Sequence, residues 1–466
     1  MRVIGLALAA ALVSAGGTPS GASAREGATS ETAREQQQRG SLDVTALLTS
    51  ARGAPPMICA MAAESVREWG WGWGDANDAP STPLKTIVSA VNSQLRMNQG
   101  QLATEDIDKL MTGLSSDDAC VREISVRLLG TQKKNDQISK GFIVRLANND
   151  ASVKEVAAFG LGLAQPTSAV DPLIQSLRDA SPGVRANAAW ALGRIDNGRA
   201  LASLVNLFRD DAEIVREAAV IAVGHMESTS TVGALVRVLR EDNAASVRRV
   251  AAWALGEAEA REAGPALSAA LAQDADTRVR EMAAWALGSI EDRNGVAALT
   301  NAVRRDADDR VRETAVWALA QIEDRSSLDV LGAAAGSDKS SRVRGTAAWA
   351  IGQLDGRGLR APAGLLQVLK DESDDARLKA AWALGQIGDS AALPAIKDAL
   401  RTEQSEQVRR ALIRAMMKSG ERSEATLTEL LRSSDPRVRE AAVRGLAGGH
   451  SFDPWPWPWP RPRPFP

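Results

Sequence analysis

The sequence predicts an all-α chain, an α-solenoid of about eleven stacked helix pairs behind a degenerate N-terminal cap. Three observations carry this expectation. First, the stretch Val-Arg-Glu-Met-Ala-Ala-Trp-Ala-Leu-Gly at 279–288 recurs closely at Val184, Val247, Val311 and Val343. Looser copies start at Val121, Val153, Val215, Ala376, Val408 and Val438, so eleven starts follow one another at intervals of 30 to 33 residues. Second, each copy reads as a helix with one buried stripe. At about 100° per residue, the starting Val, the second Ala before Trp, and the Ala and Leu after it fall within roughly 100° of arc. Third, the chain has 5 Phe and no Tyr, so its core must be Leu, Val, Ile and Ala, as closely stacked helices require.

In chain order, Met1-Arg2, an apolar run from Val3 to Ala15 and the small residues Ala22-Ser23-Ala24 read as a secretory signal cleaved after Ala24. The apolar run is too short for a stable bilayer span, and no Cys follows it to take a lipid. The expected location is therefore periplasmic or secreted. Residues 25–40, with Gln36-Gln37-Gln38, read as a disordered spacer. Residues 41–113 read as degenerate cap helices, because a terminal unit has a neighbour on one side only. Within them Trp69-Gly-Trp-Gly-Trp-Gly74 is a glycine-spaced loop, expected to fold its rings back on the cap rather than to hold a partner.

Residues 114–447 form the array. A first helix carries apolar residues at helical spacing, such as Leu235 and Leu239 or Leu299 and Val303. A polar link follows, and most second helices open three residues after an Asp or Ser: Asp118, Asp150, Ser181, Asp276, Asp308, Ser340, Ser373, Ser405 and Asp435. Such N-cap residues stabilise a helix by roughly 1 kcal/mol against Ala. After each starting apolar residue comes a base, including Arg185, Arg216, Arg248, Arg280, Arg312 and Arg344. The position lies on the shoulder of the buried stripe. It is read as a structural ladder pairing with acids of the next unit rather than as a phosphate-binding stripe.

The Trp position lies about 145° from the centre of the buried arc. Along the chain it holds Arg127, Phe159, Trp190, Ile221, Trp253, Trp285, Trp317, Trp349, Trp382, Arg414 and Arg444. The sequence therefore predicts an outward aromatic ladder, Phe159, Trp190, Trp253, Trp285, Trp317, Trp349 and Trp382, along one surface of the array.

The pattern Val-Arg-x-x-Ala-Ala-x-Ala-Leu-Gly-x-Ile resembles HEAT repeats, in the short class named after phycobilin lyase subunits, over about residues 115 to 447. The resemblance implies a right-handed α-α superhelix whose second helices line the concave face. There the changeable positions of such proteins carry partner recognition, which would make the aromatic ladder a binding groove.

From Pro454 every second residue is proline, so residues 448–466 read as an extended, polyproline-like tail carrying Trp455, Trp457, Trp459, Arg461 and Arg463. It is a disordered end, a membrane-interface element, or a ligand for an aromatic groove such as the chain's own. No catalytic set, metal site or cofactor is expected. The two histidines, His225 and His450, stand in no metal-ligand spacing. The resemblance extends to deoxyhypusine hydroxylase, a HEAT-repeat iron enzyme, but its His-Glu motifs are missing here. Cys59 and Cys120 are expected as two buried thiols, a disulfide being the alternative. With 56 basic against 58 acidic residues, a nucleic-acid partner is not expected. The function expected is a non-catalytic scaffold gripping an unidentified envelope protein or peptide. The alternative is recognition of cell-wall glycan by the Trp ladder.

Overall fold

A computed structural model describes residues 43–54, 102–130, 132, 135–354, 359–421 and 423, with isolated positions between 428 and 443, and contains helices and no strand among them. The leader, the spacer, Trp69–Gly74, Cys59, most of the eleventh unit and the tail lie outside the described residues.

α1 (Val44–Ala51) packs on α2 (Thr104–Gly113) and α3 (Ala119–Gly130). From there first and second helices alternate. The first helices are α2, α4 (Asp136–Arg145), α6 (Val170–Ser176), α8 (Leu201–Asn206), α10 (Val232–Glu241), α12 (Gly264–Gln273), α14 (Val296–Arg305), α16 (Leu328–Ser337), α18 (Ala363–Val368) and α20 (Leu393–Thr402). The second helices are α3, α5 (Ala151–Ala164), α7 (Pro182–Ile195), α9 (Glu213–His225), α11 (Ala245–Glu257), α13 (Thr277–Ser289), α15 (Asp309–Ile322), α17 (Ser341–Gln353), α19 (Asp374–Ile387) and α21 (Glu406–Lys418).

The core runs between the two layers. Leu235, Leu239, Leu299 and Val303 of the first helices are buried, as their spacing predicts, and so are Val279, Met282, Ala283, Ala286 and Leu287 of α13. Second helices pack on one another along the whole array, while first helices touch their neighbours more sparsely. The array therefore closes toward the second-helix layer, which forms its inner side.

Two devices set the register of the units. Six residues after the Trp position the chain turns through a left-handed residue: Asp196, Glu227, Glu259, Glu291 and Glu323 have φ between 44° and 53°, and Gly388 has 67°. A short 3-10 turn then starts the next first helix, often capped by the following acid; Asp292 and Asp324 accept from Asn294 N–H and Ser326 N–H. At the second helices the expected N-caps hold in part. Asp118, Asp150, Asp276, Asp308 and Ser373 accept backbone N–H groups two or three residues on, whereas Ser181, Ser340 and Ser405 do not.

Cys120 is buried and disulfide-bonded, which corrects the expectation of a free thiol there. Among the described residues no helix is long and apolar enough to cross a membrane.

Candidate functional site

The basic ladder is formed as the spacing predicts. Arg185, Arg216, Arg248, Arg280, Arg312 and Arg344 each grip one carboxylate of the next unit through Nε and Nη2: Asp210, Asp242, Asp274, Asp306, Asp338 and Asp371. The two bonds of Arg248 measure 2.8 and 2.9 Å. Each arginine also donates Nη1 to a carbonyl of its own link, as Arg248 does to Asp242 at 2.8 Å. Each aspartate in turn receives the N–H of the residue that opens its own second helix, as Asp274 does from Asp276. One guanidinium thus ties two links together. This planar fork explains why arginine fills the position. Burial alone would raise the Asp274 carboxyl, but the Arg248 guanidinium and the Asp276 N–H hold it below its ordinary range. Arg377 continues the ladder onto Glu403 and Lys154 precedes it on Asp179, while Arg122 meets only link carbonyls, 2.6 Å from Ser116 O and 3.0 Å from Asp117 O. The corresponding link side chain of the next unit is Asn148, which caps its own turn but carries no charge.

The aromatic ladder is corrected. Phe159, Trp190 and Trp349 are 2% exposed, Trp253 is 1% and Trp285 is 9%; Trp317 and Trp382 are half-buried. The position does lie on the inner side of its helix, but the ring lies down into the seam with the preceding second helix. For Trp190, Trp253, Trp285, Trp317 and Trp382 that helix carries Gly three residues after its own ladder position, whereas Trp349 is buried against a helix with Ala320 there. A Cβ added at Gly224, Gly256, Gly288 or Gly352 would stand 2.5, 2.7, 2.9 or 2.6 Å from Cζ3 of Trp253, Trp285, Trp317 or Trp382. Gly162 is notched in the same way for Trp190. Dropping the indole into this notch removes apolar area from water at roughly 25 cal/mol per Å², which an outward ring would forgo. Polar side chains then close over the seams. Arg194 stacks 5.4 Å from the Trp190 ring and donates Nε to Gly162 O at 3.2 Å. Ser289 reaches Gly256 O at 3.4 Å. His225 is half-buried and edge-on to Trp253 at 5.1 Å.

What remains open on the inner side is a polar line on seven of the second helices, one turn to either side of the ladder position: Glu155, Glu217, Arg249, Glu281 and Glu313 before it, Gln321, Gln353 and Gln386 after it. The sequence reading missed these residues, although they stand at fixed offsets from Trp. The enclosed setting shifts two of these groups, Arg249 and Glu281. Burial pushes the Arg249 guanidinium down, opposed by Glu217 at 3.7 Å. Burial pushes the Glu281 carboxyl up. Charges held half-dry interact more strongly with whatever meets them than charges in open water. Among the described residues no three His, Cys, Asp or Glu side chains converge as a metal site. The tail residues Trp455, Trp457, Trp459, Arg461 and Arg463 lie outside the described residues.

The family model described as HEAT repeats matches residues 139–224, 232–319, 296–361 and 362–447. No curated protein matches the sequence. Among solved structures, importin beta aligns over 91% of this chain and 67% of its own at 14% identity and a TM-score of 0.55. The CpcE–CpcF complex of phycocyanin lyase from Nostoc sp. PCC7120 aligns over 53% of this chain and 93% of its own, at 22% identity and a TM-score of 0.32. Human deoxyhypusine hydroxylase aligns over 54% and 96%, at 23% identity and a TM-score of 0.26. Only the importin beta alignment is close enough to bear on fold, and at that identity it bears on nothing else. The matched repeats and the stacked helix pairs lead to one conclusion: the chain belongs to the HEAT-repeat family.

Proposed function

We propose that this chain is an exported, non-catalytic scaffold that holds an extended segment of an envelope protein or peptide along the inner face of its second helices. The observation that carries the reading is the polar line. Its side chains are left accessible on the inner side while nearly every apolar group of the same helices is covered. HEAT-repeat solenoids are suited to such binding, since a line repeated once per unit can follow an extended ligand. The grip lies in charged and amide side chains, with indole edges exposed only at Trp317 and Trp382. Recognition of glycan by stacking loses most of its support, because sugar faces need open rings and five of the seven are covered. The tail remains a candidate occupant of the same face.

The test compares capture of envelope proteins by the full chain and by a variant carrying Gln321→Arg, Gln353→Arg and Gln386→Arg, beside sedimentation with peptidoglycan. Loss of a captured protein in the variant, at unchanged helicity, supports the reading. Unchanged capture, or sedimentation with glycan alone, refutes it.

A further inference from the structure

Two consecutive junctions carry the same polar set on the inner side, and one of them leaves it open. Between α15 and α17 the set is closed. Glu313 accepts from Thr346 Oγ1 at 3.1 Å, and Arg342 leans on it at 3.6 Å. Arg342 can do so because Asp309 anchors it at 2.9 Å. One unit earlier, between α13 and α15, the corresponding residues are Glu281, Thr314 and Arg310, each 32 positions before its counterpart. There the contacts are unmade. Thr314 is 1% exposed, yet its Oγ1 has no hydrogen-bond partner. Arg310 turns instead to Asp308, at 3.7 Å. The cause is visible in the sequence. The position that holds the anchor Asp309 is Thr277 in the earlier unit, which has no charge with which to draw Arg310 over Glu281.

Other carboxylates on the inner line have partners: Glu155 accepts from Ser181 Oγ at 2.8 Å and Glu217 faces Arg249 at 3.7 Å. Glu281 has neither a hydrogen bond nor an ion pair among the described residues. Burial raises its carboxyl, Arg310 opposes the rise, Asp308 and Glu313 add to it, and Arg278 opposes it again. One turn along α13 stands Trp285, and one turn along α15 stands the half-buried Trp317. A carboxylate beside an orphaned hydroxyl, with indoles one turn away, suits a planar cation. The acid takes the charge through a forked pair of hydrogen bonds.

We infer that the junction of α13 and α15 is a specificity niche of the groove. In it Glu281 receives a guanidinium carried by an extended partner peptide, in the place that Arg342 takes against Glu313 one unit on. The niche deepens the scaffold reading above and rests on it. It specifies a basic residue in the bound segment and fixes where that residue sits.

The test uses the full chain with Arg461→Gln and Arg463→Gln, which removes the arginines of its own tail from competition. Binding of a fluorescent acetyl-Pro-Arg-Pro-Arg-Pro-amide is followed by anisotropy. Glu281→Gln should weaken it by about tenfold or more, the scale expected for loss of one half-dry charge pair. Glu241→Gln, an exposed carboxylate at the end of the first helix α10 and outside the polar line, should leave it unchanged. Thr277→Asp should also abolish binding by anchoring Arg310 over the niche. No binding of the peptide overturns the proposal, and so does equal binding by Glu281→Gln. Equal loss in Glu281→Gln and Glu241→Gln overturns it too, since it would show a diffuse field instead of a site. Equal binding of acetyl-Pro-Gln-Pro-Gln-Pro-amide removes the niche but leaves the groove standing, which separates this failure from failure of the scaffold reading.

Discussion

Gly256→Ala should destabilise this protein, although the same change in an isolated helix stabilises it. In an exposed helix interior Ala is better than Gly by about 0.8–1 kcal/mol. Here the added Cβ would stand 2.7 Å from Trp285 Cζ3 and 3.2 Å from both Ala286 Cα and Ala286 Cβ. Relieving such an overpacked contact costs typically about 1–3 kcal/mol, which outweighs or cancels the propensity gain. Trp285→Ala alone empties the notch and should cost about 3–5 kcal/mol, the range for a buried aromatic truncated to Ala. In that background the ring clash is gone, so Gly256→Ala should turn neutral or stabilising. The double-mutant cycle should therefore show a coupling of about 1–3 kcal/mol. Units of a solenoid open with their neighbours. The free energies are accordingly read by native-state hydrogen exchange at amides of α11 and α13. Additivity within about 0.5 kcal/mol, or a Trp285→Ala cost no larger than that of a surface change, would refute the seam and return the ring to the surface.

Three more outcomes follow from the same geometry. Asp274→Asn should destabilise the junction of α11 and α13 by about 3 kcal/mol, because it leaves the largely buried Arg248 guanidinium without its charge partner; denaturant unfolding measures it. Glu281 is a carboxylate raised in the folded state, so the stability it contributes is present below its unfolded pKa and is lost as pH rises through the folded value. The stability of Glu281→Gln minus that of the parent, measured in denaturant across acid to neutral pH, should therefore grow with pH, while a flat difference contradicts the shift. Glu323→Gly should raise thermal stability by up to about 1 kcal/mol, since the residue sits at φ 53° where glycine carries no Cβ penalty.

The ladder of arginines was legible in the sequence because its logic is one-dimensional. A base at a fixed register and an acid in the next link can meet only if the units stack. The helix pairs were legible for the same reason, through the apolar stripe of Val279, Ala283 and Leu287. The direction of the indoles was not. The wheel sets Trp285 apart from the buried arc of its own helix, but a single helix cannot show that Gly256 on its neighbour opens a notch there. For five of the six Trp in the ladder the signal was present as a relation between units: Gly at three residues after the ladder position, followed about one unit later by Trp. The Glu281 niche was hidden more deeply, because Glu281, Thr314 and Arg310 repeat the types of Glu313, Thr346 and Arg342. Only Thr277, standing where the next unit has Asp309, marks the difference, and its effect is seen once the side chains are placed.

The indoles act as mortar between units instead of as a gripping surface. The most direct measurement is ¹⁹F NMR of the full chain labelled with 5-fluorotryptophan, with each resonance assigned by a single Trp→Phe change and its shift compared in H2O and D2O. Resonances of Trp190, Trp253 and Trp349 should show no solvent isotope shift, with partial shifts at Trp317 and Trp382. Full and equal shifts at all five would contradict the account.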